Sequence, residues 1–315
     1  MLQLLFVALL STPASAPTVK SQGQAAPAGS ARARGALAHP GPGSFPAQWI
    51  HGSASCATND DPPLQVHAYN ANTYILRQNM CQNFEGAFMY LLLGNQKALL
   101  IDTGATPSAL QFPLQATVKA LVDQFESQHG LPDLELIVAH SHSHGDHVAG
   151  DVQFLGQPNT TVVGTSTAAI QSFFGITSWP SEIVSFGLGG RRLDVIPTPG
   201  HHPTHIMIYD RNTDLLFSGD SFMAGYLFPP NQSAYRASID RVVDFAATHP
   251  IAHILGGHIE MTSTPGVIYP YGATYQPQEH ELRLGAEHLT ELWDALHNMP
   301  GSIVHEVHDD FVIFP

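Results

Sequence analysis

The densest chemistry in the sequence is the octet His140-Ser141-His142-Ser143-His144-Gly145-Asp146-His147, which puts four imidazoles and a carboxylate within one short segment. Neutral imidazole nitrogens and carboxylate oxygens are the donors that divalent metals such as zinc take. His142 and His144 alternate across Ser143, so a turn can aim both rings at one point. Asp146 and His147 come on the next bend and can face a second point nearby. One segment can therefore supply halves of two metal sites. The chain holds 19 histidines in all, an excess that packing gives no reason for.

The octet follows Leu134 to Ala139, a continuous apolar run that reads as a strand buried on both faces. Such a strand ending in polar side chains must hold them at the sheet's edge, because burying them unpaired is costly. Edges of this kind are where active sites form. Upstream, Phe88 to Leu93 and Lys97 to Ile101, separated by Gly94-Asn95-Gln96, read as a hairpin running into Asp102-Thr103-Gly104. Pro113 then opens a helix with Leu114, Val118, Leu121, Val122 and Phe125 on one face and Gly130 as its stop. Downstream, Arg192 to Ile196 and Leu215 to Phe217 read as strands, and Ser233 to Thr248 as a core-facing helix capped by Ser233. A last helix is marked by Leu282, Ala286, Leu289, Trp293 and Leu296. This alternation implies two packed sheets with helices outside, an α/β fold with no separate second domain.

His142, His144, Asp146 and His147 match the HxHxDH signature, and the chain resembles the metallo-β-lactamase-fold hydrolases. The Asp-His pair fixes the register, so His140 lies outside the motif and its role stays open. Four further segments resemble superfamily motifs in the right order: Asp102-Thr103-Gly104, Thr198-Pro199-Gly200-His201, Ser218-Gly219-Asp220 and Gly256-Gly257-His258. The resemblance spans roughly residues 65 to 260 and implies an αββα four-layer sandwich. It also implies that His142, His144 and His201 hold one metal, that Asp146, His147 and His258 hold the other, and that Asp220 bridges them. The residues have their own reading beside this one. His201, Asp220 and His258 each follow a strand, and an isolated Asp in such a place more often serves a turn; the shared placement is what gives the three weight. The glycines before His258 let the backbone approach a site closely.

Two Zn2+ per chain, with iron as the other candidate, would leave a net positive centre that favours a bound hydroxide, the expected nucleophile against an ester, lactone or related carbonyl. Asp146 could orient the water, and Asp102 reads as a partner that fixes an imidazole of the ligand set. Within the resemblance, the alternatives are a β-lactamase of the same fold, disfavoured by the carboxylate Asp220, and an iron-dependent redox enzyme of the persulfide dioxygenase kind. A non-catalytic binding protein is disfavoured because all seven proposed ligands are present. The intervals between motifs leave no room for the inserted domain of the nuclease members. The tail beyond His258 is shorter than that expected of glyoxalase II-like thioesterases and has no basic cluster for an acidic thiol. The expected pocket walls are two aromatic loops after ligand positions, with Phe222 and Tyr226 in one and Tyr271 and Tyr275 in the other.

The composition is that of a folded protein, with 43% hydrophobic and 12% charged residues. Twelve Lys plus Arg against 26 Asp plus Glu give a formal charge of −14, which argues against nucleic acid and leaves a small-molecule substrate. Residues 1–16 read as a secretory signal peptide, too short to span a bilayer, although its start lacks Lys or Arg and Pro17 would follow the cut. A secreted or periplasmic location follows. Residues 17–46, rich in Ala, Gly, Pro and Ser, read as a flexible tether, and 47–315 as the hydrolase domain. The two cysteines, Cys56 and Cys81, are too few for a thiolate cage. In an exported protein they are expected to pair and close a loop of about 25 residues, with two buried thiols as the alternative.

Overall fold

A computed structural model describes residues 43–315; the expected signal peptide, and the expected tether up to residue 42, lie outside the described residues. Residues 43–46, grouped with the tether on composition, belong to the folded body. The Ser44 amide bonds the Tyr69 carbonyl, the Ser44 carbonyl accepts from His67, and Phe45 packs edge-on against Tyr69.

The first sheet contains β1 (Leu64–Asn70), β2 (Thr73–Gln78), β3 (Phe88–Leu93), β4 (Lys97–Ile101), β5 (Glu135–Ala139) and β6 (Thr160–Val162), side by side in chain order. The first four run antiparallel, whereas β4, β5 and β6 are parallel. Helix α1 (Leu114–His129) makes the β4-to-β5 crossover and ends on Gly130 in the left-handed conformation. The chain then passes a short turn of helix, α2 (Gly145–Val148), and α3 (Thr167–Phe174) into the second sheet.

That sheet is built from β7 (Val184–Gly187), β8 (Arg192–Pro197), β9 (Ile206–Asp210) and β10 (Leu215–Gly219), and then, beyond the short β11 (Tyr226–Leu227) and α4 (Gln232–Ala246), from β12 (His253–Gly256) and β13 (Arg283–Leu284). Its order is β13-β12-β10-β9-β8-β7, with β10 and β12 parallel across the α4 crossover. Helix α5 (Ala286–Asn298) and a C-terminal hairpin, β14 (Glu306–Val307) and β15 (Val312–Ile313), follow, and β15 pairs with β11.

Three apolar layers set the architecture. Alternate residues of β4 and β5 divide between two of them. Leu99, Ile101, Ile137 and Ala139 face the second sheet, where Val195, Ile208 and Phe217 meet them, while Ala98, Leu100, Leu136 and Val138 lie beneath Val118, Val122 and Phe125 of α1. On the far side, Ile196, Met207, Leu216 and Ile254 are covered by Ile239 and Val242 of α4 and by Leu289, Leu292 and Leu296 of α5. Strands buried on both faces account for the continuous apolar runs in the sequence, and the result is the expected αββα sandwich.

Two local readings are corrected. Helix α4 starts at Gln232 rather than Ser233, and Asn231 caps it: the Asn231 side chain accepts from the Ala234 amide, while Ser233 donates its hydroxyl to the same carboxamide oxygen. Leu282 precedes α5 and packs instead in the layer between the sheets.

Candidate metal centre

Every segment that carries a candidate ligand leaves the same end of the two sheets. The octet follows β5, His201 the turn after β8, Asp220 follows β10 and His258 follows β12. Two donor groups form there, His142 with His144 and His201, and Asp146 with His147, Asp220 and His258, the donor atoms of each lying within 4.8 Å of one another. Asp220 Oδ2 lies between the groups, 3.3 Å from His147 Nε2, 3.7 Å from His142 Nε2 and 3.8 Å from His201 Nε2.

The outer ring nitrogens fix which inner ones keep a lone pair. His147 Nδ1 donates to Asp102 Oδ2 at 3.0 Å, His258 Nδ1 to the Glu85 carbonyl at 2.7 Å, and His201 Nδ1 to the Phe228 carbonyl at 2.8 Å. Each therefore presents an unprotonated Nε2 inward in its neutral form. His147 Nε2 and His258 Nε2 then face each other at 3.2 Å, and His201 Nε2 faces His144 Nδ1 at 3.1 Å. Between His147 and His258, two lone pairs at that separation repel unless a cation lies between them. Asp220 Oδ1 is buried with no hydrogen-bond partner. Converging lone pairs and an orphaned carboxylate oxygen fit divalent ions, and the histidine-carboxylate donor set fits zinc.

Charge tells the same story. Burial alone would push His258 down, but Asp220 and Asp146 beside it hold it raised to about 10. Asp220 works against the same burial, with His147 and His258 keeping its carboxyl well below the ordinary carboxylate range. Protons on these rings thus stand where a cation would. His142 behaves differently: burial, reinforced by the neighbouring imidazoles, keeps it neutral far below its ordinary value.

Asp102 stands behind His147. With φ at 66° in the left-handed region, it turns back to accept from the Ser141 amide at 2.7 Å and the Ser141 hydroxyl at 2.8 Å as well as from His147. Gly257 is needed for clearance, since a Cβ there would strike Asp220 Oδ1. His140 points away from the centre and bonds Asp151 at 2.8 Å; Thr103 holds the same carboxylate oxygen at 2.9 Å. Its place is in the scaffold behind the octet.

A cleft of about 430 Å³ opens over His201, Asp220 and His258. Tyr226 and Tyr271 line it. Phe222 does not: it is fully buried and packs edge-on against Phe311 beneath the wall. Tyr275 also lies elsewhere, beside His51. The residues that complete the lining are Glu85, Met223, Phe228, Glu260 and Phe314. Glu260, two residues after a ligand motif, could have been found in the sequence. Glu85 and Phe314 have no such signal, because the β2–β3 loop and the C-terminal strand reach the site only through tertiary pairing. A second hollow of similar volume, between Phe45 to Trp49 and Glu279 to Arg283, contains none of the candidate ligands.

The family model of the metallo-beta-lactamase superfamily matches residues 83–258, more than half of the chain and all seven candidate ligands. The chain belongs to this superfamily. Its similar proteins include acyl-coenzyme A thioesterase MBLAC2 of Gallus gallus, 25% identical over an alignment of 213 residues that covers 59% of this chain and 77% of that protein. The hydroxyacylglutathione hydrolase of Rhizobium meliloti (strain 1021) is 30% identical over 106 residues, 33% of this chain and 41% of that protein. Among solved structures, TMB-1 aligns over 76% of this chain and 100% of its own with a TM-score of 0.49 and 16% identity. These related enzymes are hydrolases, and the chain is a superfamily hydrolase with a candidate metal-binding cluster. Among the described residues no helix is long and apolar enough to cross a membrane.

Proposed function

We propose that the chain is a zinc-dependent hydrolase with two ions, acting on an ester, thioester or lactone carbonyl. The observation that carries this reading is the position of Asp220 Oδ2 between the two nitrogen groups, which suits a carboxylate shared by two cations. Bound there, the ions would supply a water of lowered pKa and a Lewis-acid contact for the carbonyl oxygen.

The chain's own residues do the rest. His142, His144 and His201 would hold one ion, and Asp146, His147 and His258 the other. Asp146 Oδ2 lies 3.2 Å from both His147 Nε2 and His258 Nε2, which would leave Oδ1 to accept a hydrogen bond from a water at the centre and orient it. Tyr226, Phe228 and Phe314 give one side of the cleft an apolar, aromatic wall. Thioesters are included because a similar protein is named an acyl-coenzyme A thioesterase.

The Cys56–Cys81 bridge and the apolar run at Leu2 to Leu10 support export into an oxidising compartment. The test is a screen of purified protein against esters, thioesters and lactones with metal content measured in parallel. Turnover that chelation removes and zinc restores, and that Asp146→Asn lowers by about a hundredfold or more, is the expected result. One iron per chain, or full activity in the variant, would contradict it.

A further inference from the structure

The wall of the cleft opposite the metal centre has a chemistry of its own. Tyr226, Phe228, Tyr271 and Phe314 present aromatic rings, with Tyr226 and Phe228 packed about Phe314 at centroid separations of 5.6 and 6.2 Å. Glu85 and Glu260 stand among them, and no lining residue is Lys or Arg. Glu260 Oε2 accepts from the Tyr226 amide at 2.7 Å, which anchors the side chain and leaves Oε1 uncommitted. The Glu85 backbone is fixed, its amide on Asn83 and its carbonyl on His258, and its side chain lines the cleft beside the centre. Neither carboxylate has an ion-pair partner among the described residues.

Aromatic faces attract cations through the ring quadrupole, and a cage of rings with carboxylates is how proteins hold quaternary or protonated ammonium groups. The chain's formal charge of −14 acts in the same sense at long range, drawing cations toward the surface. An anionic carrier such as a phosphorylated or carboxylated thiol would meet Glu85 and Glu260 on this wall, with no Lys or Arg in the lining to pair with.

We infer that the substrate is an ester or thioester bearing an organic ammonium group, seated against Tyr226, Phe228, Tyr271 and Phe314 and held by Glu85 and Glu260 while its carbonyl reaches the metal centre. The inference rests on the hydrolase reading and adds the charge of the substrate to it.

The experiment has two arms on zinc-loaded protein. The first measures benzyltrimethylammonium binding by calorimetry to the unaltered protein, Glu85→Gln and Glu260→Gln, with melting temperature and zinc content confirming that each variant is folded and loaded. The second compares kcat/KM for acetylthiocholine, neutral phenyl acetate and acetyl-coenzyme A. The inference expects ammonium binding that each variant weakens by about tenfold, a preference for the cationic over the anionic thioester of about a hundredfold, and a smaller cationic-to-neutral ratio in both variants. Turnover without preference, preference for the anionic thioester, or absence of ammonium binding would overturn it and leave the hydrolase reading intact. Ammonium binding that depends on both glutamates, with no turnover of any ester, would support the wall assignment and contradict the hydrolase reading instead.

Discussion

At the scale of single residues, the centre is organised by what the outer nitrogen of each imidazole donates to. Asp102, the Glu85 carbonyl and the Phe228 carbonyl set three tautomers from behind. Asp102→Asn should therefore weaken zinc binding by about 10- to 100-fold without unfolding the protein, measured by competition against a chromophoric chelator; unchanged affinity would remove Asp102 from this role. His258 makes the second prediction. Its pKa in the metal-free fold is raised from 6.5 to about 10. The protonated ring contributes stability that is fully present below pH 6.5 and is lost as the pH rises through about 10. Metal-free protein should thus melt at progressively lower temperature between pH 7 and pH 10, with a shallower fall in His258→Gln; an equal slope in the two would refute the linkage. The octet was readable because four imidazoles and a carboxylate so closely spaced are peculiar to metal binding, whereas His201, Asp220 and His258 drew their weight from the resemblance and from their shared place after strands. Glu85 was not, since what matters is a backbone carbonyl that no side-chain pattern reports.

At the scale of elements, periodicity carried the reading. Helix α1 and the β3–β4 hairpin match it because each has one signal and no competitor, with Pro113 and Gly130 closing off an apolar stripe and Gly94 separating two β-rich runs. The start of α4 was misplaced because Asn231 and Ser233 are both good caps and only the fold decides between them. Asn231→Ala should cost about 1 kcal/mol, whereas Ser233→Ala should change stability by a few tenths at most; urea unfolding of the two separates these outcomes. Phe222 illustrates a harder limit. Its burial depends on Phe311 and on the pairing of β11 with β15, which is near the other end of the sequence. The loop from Asn79 to Ala87 links redox state to the centre: Cys81 ties it to Cys56, Asn79 braces it against Pro62, and its Glu85 carbonyl orients His258. Replacing both cysteines with serine should lower stability by about 3 kcal/mol and weaken binding of the second zinc ion. A pair of calorimetric titrations checks this, and a variant with unaltered zinc binding would show that the loop holds its shape without the bridge.

At the scale of the whole molecule, the two sheets serve to bring strand ends together. The parallel neighbours β4 and β5 deliver Asp102 and the octet, and the parallel neighbours β10 and β12 deliver Asp220 and His258, so two crossovers converge on one edge. This was legible in outline, because apolar runs ending in ligand types imply a sheet edge. The cleft's acidic and aromatic wall was legible only in part, because it is assembled from the β2–β3 loop, the segment around β11, the turn after β12 and the last strand. We propose that these edges together hold two ions. Titration of metal-free protein with zinc tests it most directly, followed by calorimetry with metal content confirmed by mass spectrometry. Two equivalents should bind per chain, falling to one in His201→Ala and to one in His258→Ala. A single equivalent in the unaltered chain, or two retained in either variant, would contradict the claim.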